Sequence, residues 1–131
     1  MKDFLVLLTC FVVCISLLAG CRRGSNSNDI PEIDINLSVS PAPPAMGLAT
    51  VIIALNDADN QPITGANVEL EGNMNHAGMT PVFSTATETE PGRYEAPLEF
   101  TMGGDWFILV KVTLSDGRTL ERQVNVPGVK S

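Results

Sequence analysis

The sequence predicts an all-β domain, an immunoglobulin-like antiparallel β-sandwich of about seven strands. Three observations lead there. Apolar residues recur at every second position, as in Ile33, Ile35, Leu37 and Val39, the period of a pleated strand with one buried face. Beyond the first twenty residues no stretch repeats its apolar positions at the three-and-four spacing of an amphipathic helix. Pro, Gly, Asn and Asp clusters separate the alternating runs at near-regular intervals. With 131 residues and 44% hydrophobic content, the chain can bury one small core and not two.

Residues 1–20 stand apart from that fold. Lys2 supplies a positive start, residues 4–18 are almost wholly apolar, and Leu18-Ala19-Gly20-Cys21 follows. The small residues before Cys21 resemble a bacterial lipobox, which implies a lipoprotein signal peptide over 1–20, cleavage before Cys21 and a lipid on its sulfur. The apolar run falls short of the ~20 residues that span a bilayer comfortably. Read instead as an uncleaved anchor, it leaves the domain on the same side of the membrane. The expected location is therefore the cell membrane, lipid-anchored and facing the extracytoplasmic side. Residues 21–31 form the lipidated cysteine and a polar tether with a coil span of roughly 15–20 Å, and Arg22 and Arg23 lie where anionic headgroups would meet them.

The mature domain is left without a thiol, because Cys10 and Cys14 are in the leader and Cys21 carries the lipid. It can have no disulfide and no thiolate metal ligand.

The domain is expected over residues 32–127, with 128–131 as a tail. Its first strand runs from Ile33 to Val39, and Pro41, Pro43 and Pro44 stop it. Residues 47–55 are almost continuously apolar, which predicts a second strand covered on both faces. A turn over 56–60 follows. Ala66, Val68 and Leu70 define a third strand that leads into Gly-Asn-Met-Asn-His-Ala-Gly-Met at 72–79. Residues 81–88 are Thr-rich and β-prone, and Glu90-Pro91-Gly92-Arg93 suits a type II turn. Tyr94, Ala96, Leu98 and Phe100 share one face of the next strand. Trp106, Ile108, Val110, Val112 and Leu114 share one face of the longest, the expected spine of the core, with Phe107 and Leu109 on its other side. Asp116-Gly117 predicts a type I′ hairpin, and Leu120, Val124 and Val126 form the last strand before Pro127-Gly128.

Strands that run alternately up and down put the first, third and fifth connections at one pole. Those connections hold Met46, then Met74, His76 and Met79, then Met102. All four methionines of the mature chain and its single histidine are thus expected at one end, outside the predicted strands. Thioethers and a neutral imidazole suit a soft ion. Such a set matches Cu(I), or Cu(II) if His76 leads with oxygen ligands. Zinc would ask for thiolates or several histidines. Asp57 and Asp59 lack the glycine and distal glutamate of a calcium loop.

Net charge further restricts partners. Removing Lys2 and Asp3 leaves 7 basic and 14 acidic residues, a net of −7, which disfavours nucleic acid and favours cations. One histidine, no free thiol and no Gly-x-Ser-x-Gly leave no assembled nucleophile, so the sequence does not predict an enzyme.

Three motifs carry a family resemblance: Gly-Asn-Met-Asn-His-Ala-Gly-Met, Pro91-Gly92-Arg93-Tyr94 and Phe100-Thr101-Met102-Gly103-Gly104-Asp105-Trp106. From about Met46 to Val126 the chain resembles the YtkA-like domain family, small exported or membrane-anchored bacterial β-sandwiches similar in build to copper-resistance sandwiches and FixH-like proteins. The resemblance implies that Met74, His76 and Met79 occupy a Met/His loop and Met102 a Phe-x-Met-x-Gly-x-Trp turn. Two functions follow as expectations: a lipid-anchored copper-binding or copper-handling module, and an immunoglobulin-like module that meets another envelope protein through outward-facing Phe107 and Leu109 without metal.

Overall fold

The computed structural model describes residues 32–131. The signal peptide, Cys21 and the tether expected over 21–31 lie outside the described residues. Those described form seven strands, β1 (Asp34–Ser40), β2 (Gly47–Asn56), β3 (Asn67–Met74), β4 (Val82–Glu90), β5 (Arg93–Phe100), β6 (Gly104–Thr113) and β7 (Thr119–Val129). Among them no helix is long and apolar enough to cross a membrane.

All pairings between strands are antiparallel, in the order β1-β2-β5-β4-β3-β6-β7. The expected sandwich is present, but its two layers are hydrogen-bonded into one bent sheet. β4 makes the bend. Its first half, Val82 to Ala86, pairs with β3, and its second half, Thr87 to Glu90, pairs with β5. Beyond Glu95, β5 no longer pairs with β4, so Pro97 sits where a missing N–H costs no ladder bond.

The inward faces meet in a core of Val51, Ile53, Leu55, Val68, Leu70, Tyr94, Leu98, Phe100, Trp106, Ile108, Val110 and Val112, all essentially inaccessible to water. Trp106 packs edge-on against Phe100 with ring centroids 5.1 Å apart and planes at 83°, a favoured aromatic geometry. Gly72 is the one inward position of β3 that cannot carry a side chain freely. A Cβ there would lie 3.3 Å from Leu98 Cδ2 and 3.5 Å from Trp106 Cζ3, so the glycine lets the strand lie directly against the core.

Four local expectations are corrected. β2 is not covered on both faces: its residues alternate, and Leu48 on the outer face is 76% exposed. The 114–118 hairpin is not type I′, because only Gly117 has a positive φ (88°) and the Leu114 N–H donates to the Arg118 carbonyl across a three-residue loop. In such a loop a single left-handed glycine completes the turn. The last strand continues through Pro127 and Gly128 to Val129, which makes β7, with 11 residues, longer than β6, with 10. Pro127 is tolerated because β7 is an edge strand.

Beyond β7 the chain is held. The Lys130 N–H donates to the Pro44 carbonyl, and the Met46 N–H donates to the Lys130 carbonyl at 2.7 Å. At the other pole Tyr94 organises the connection from β2 to β3: its hydroxyl donates to the Ile63 carbonyl at 2.9 Å and accepts from the Ala66 N–H at 3.1 Å. The Glu88 carboxylate accepts from the Gly65 and Gly92 N–H groups. Those bonds, Gly65 first, hold its carboxyl below the ordinary glutamate range. Burial pushes the Tyr94 hydroxyl up.

Candidate metal centre

The strand directions put the ends of β1, β3, β5 and β7 and the starts of β2, β4 and β6 at one pole. Gly47 pairs with Phe100, Gly72 with Val82 and Met74 with Trp106. Met46, Met74, His76, Met79 and Met102 all belong to that pole. One of them is not in a connection: Met74 is the last residue of β3. The ladder to Trp106 carries β3 farther than the residue pattern indicated.

Past Met74 the chain leaves the sheet in a tight turn. Gly78 takes a φ of 84°, a conformation glycine adopts without a Cβ clash. The Met79 N–H then donates to the His76 carbonyl at 3.3 Å. His76 is exposed at the turn's crest, with Nδ1 3.1 Å from the Ala77 carbonyl oxygen. In the tautomer that donates this bond, Nε2 keeps its lone pair outward, the usual arrangement of a metal-binding imidazole.

The thioethers fall into two groups. Met74 and Met79 are half-buried against the core. The Met74 methyl reaches β6, where a Cβ at Gly104 would lie only 3.0 Å from it. Met46 and Met102 are 48% and 41% exposed. Met102 is fixed through its backbone, its carbonyl accepting the Trp106 indole N–H at 2.9 Å.

Met74 and His76 line one open cleft of about 490 Å³. It is also lined by Asp105, Trp106 and Phe107 of the neighbouring β6, and by Gln123, Asn125 and Pro127 of β7 beyond it. The structure thus brings two of the five candidate ligands together, and Met46, Met79 and Met102 do not line this cleft. It adds polar groups that sequence reasoning missed. Asp105 is one, although one carboxylate oxygen accepts the Gly128 N–H at 2.9 Å; the amides of Gln123 and Asn125 are the others. Only their odd-numbered parity on β6 and β7 hinted at a shared outer face, and the adjacency of those strands to β3 was needed to join them to His76.

Among the described residues no group of three or more His, Cys, Asp or Glu side chains is placed to hold a metal. Any ion held in this cleft would therefore depend on thioether, amide or a second-molecule donor besides His76 and Asp105. Asp57, at the other pole, accepts the Asp59 and Gln61 N–H groups on Oδ1 at 2.9 Å each, a turn that accounts for its presence there.

A family model described as YtkA-like matches residues 28–111. No curated protein matches the chain. Among solved structures the soluble domain of PmoD from a Methylocystis species is similar, at 15% identity, with 75% of this chain and 91% of that chain covered and a TM-score of 0.47.

Proposed function

The chain belongs to the YtkA-like family, and on that premise we propose that it is an exported lipoprotein, anchored through Cys21, whose β-domain binds Cu(I) through Met74 and His76. In this reading it is a binding module and not an enzyme, and its membrane contact is the lipid. The observation that carries the copper reading is the shared cleft: the thioether that ends β3 and the imidazole two residues later line the same opening.

The donor chemistry fits the ion. A thioether and a neutral imidazole are soft or intermediate ligands that favour Cu(I), and the half-buried Met74 is already held by packing, so little ordering remains to be done on binding. Met79 does not line the cleft, but the hydrogen bond from its N–H to the His76 carbonyl folds its backbone back beside His76, and in this reading it is a third donor. Met46 and Met102 do not line the cleft and are left out of this reading. Asp105 and the nearby amides give the cleft a negative, polar wall that attracts a cation.

Competition for Cu(I) against a chromophoric chelator, performed without oxygen on the full chain in neutral detergent, tests it. Met74→Ala and His76→Ala should each weaken binding by about tenfold or more, with Met46→Ala and Met102→Ala close to the parent. Superimposable curves for parent, Met74→Ala and His76→Ala would remove the proposal.

A further inference from the structure

Next to the cleft, the outer face of the β4-β3-β6-β7 layer presents apolar side chains toward solvent. Phe83 is 71% exposed. The register sets it beside Glu71, Glu71 beside Leu109, and Leu109 beside Gln123. The next outward row runs Thr85, Glu69, Lys111, Glu121. Phe83 and Leu109 thereby flank Glu71 in a shallow groove of about 180 Å³, with Glu69, Lys111 and Glu121 lining it along the next row. Three carboxylates face one ammonium, and that ammonium lies 3.8 Å from Glu69.

An exposed aromatic and an aliphatic side chain on either side of a glutamate, with a largely acidic row beside them, offer a partner both apolar surface and charge, the two components of a small interface. The sign of that charge selects the occupant. A second copy would bring the same glutamates against each other, which is unfavourable, and anionic headgroups would be repelled. We infer that this face docks a protein segment in which a large apolar residue is flanked by lysines or arginines. The apolar residue covers Phe83 and Leu109, and its flanking cations meet Glu71 and Glu121. Phe107, two residues before Leu109 on the same face, lines the Met74–His76 cleft, so a segment docked here lies next to that cleft. The inference does not depend on copper.

The test uses the full chain, ¹⁵N-labelled in neutral detergent, titrated with three short peptides: alternating Lys and Leu, alternating Glu and Leu, and alternating Lys and Ser. The Lys/Leu peptide should shift the amides of Phe83, Leu109 and Lys111, with the other two peptides much weaker. Phe83→Ser, and separately the pair Glu71→Lys with Glu121→Lys, should raise its Kd about tenfold or more. Because Phe83 is exposed, Phe83→Ser should melt with the parent, and the charge pair gives an independent reading if it does not. A Kd unchanged in both variants, shifts that map elsewhere, equal binding of the Glu/Leu peptide, or peptide-free dimerisation abolished by Phe83→Ser would each overturn the inference.

Discussion

Replacing Gly72 with valine perturbs the fold where it supports the candidate site. The backbone of β3 lies so close to the core that the Cβ alone would stand 3.3 Å from Leu98 Cδ2 and 3.5 Å from Trp106 Cζ3. The two γ-carbons of valine must project beyond that Cβ toward Leu98 and Trp106, side chains that are 1% and 2% exposed. Forcing extra carbons into a packed core costs about 1–3 kcal/mol. Domains of this size shift in Tm by about 4–8 °C per kcal/mol. Gly72→Val should therefore melt clearly below the parent, by circular dichroism and by Trp106 fluorescence together. The exposed position Leu48 provides the control, and Leu48→Ala should leave Tm nearly unchanged. A Gly72→Val protein that melts with the parent or above it would refute the close packing of β3 on Trp106.

The other pole yields further predictions. Tyr94→Phe removes a hydroxyl that bonds both Ile63 and Ala66, and with those backbone groups left short of a partner the variant should lose about 1–3 kcal/mol in denaturant unfolding. Glu88 is more acidic in the fold than when unfolded, so its contribution is present above the ordinary glutamate value, about 4.3, and fades as the pH falls through the lower native value. Glu88→Gln should accordingly lose more of its parent-relative stability at neutral pH than in acid, and a difference in Tm independent of pH would contradict this. Gly104→Ala places a methyl group 3.0 Å from the Met74 methyl at a φ of 127°. The expected outcome is weaker Cu(I) binding together with a lower Tm, read from the chelator competition and a thermal melt.

The strand framework was legible because each strand has one wet face, and the resulting alternation is written directly into runs such as Tyr94, Ala96, Leu98 and Phe100. The gathering of the methionines at one pole was legible too, since it needs only that successive strands reverse direction. What was hidden depends on neighbours that local sequence does not name. Residues 47–55 look buried on both faces because Ile52 and Ala54 are apolar, yet their face is only half-covered. Pro127-Gly128 reads as a stop, but an edge strand needs no N–H on its open side. Met74 reads as loop, but pairing with Trp106 holds it in β3. The cleft was the least legible feature: its walls come from β3, β6 and β7, whose adjacency follows from the strand order and not from spacing along the chain. For the same reason Met46 and Met102, grouped with His76 by their pole, lie outside its cleft.

The most direct measurement follows the methyl resonances of all methionines in ¹³C-methyl-methionine-labelled protein as Cu(I) is added without oxygen. The Met74 methyl should shift and saturate near one equivalent together with the His76 ring, Met79 should follow, Met46 and Met102 should stay nearly still, and His76→Ala should abolish the Met74 response. A Met74 methyl that does not move, or one that moves equally in His76→Ala, would contradict Cu(I) binding through Met74 and His76.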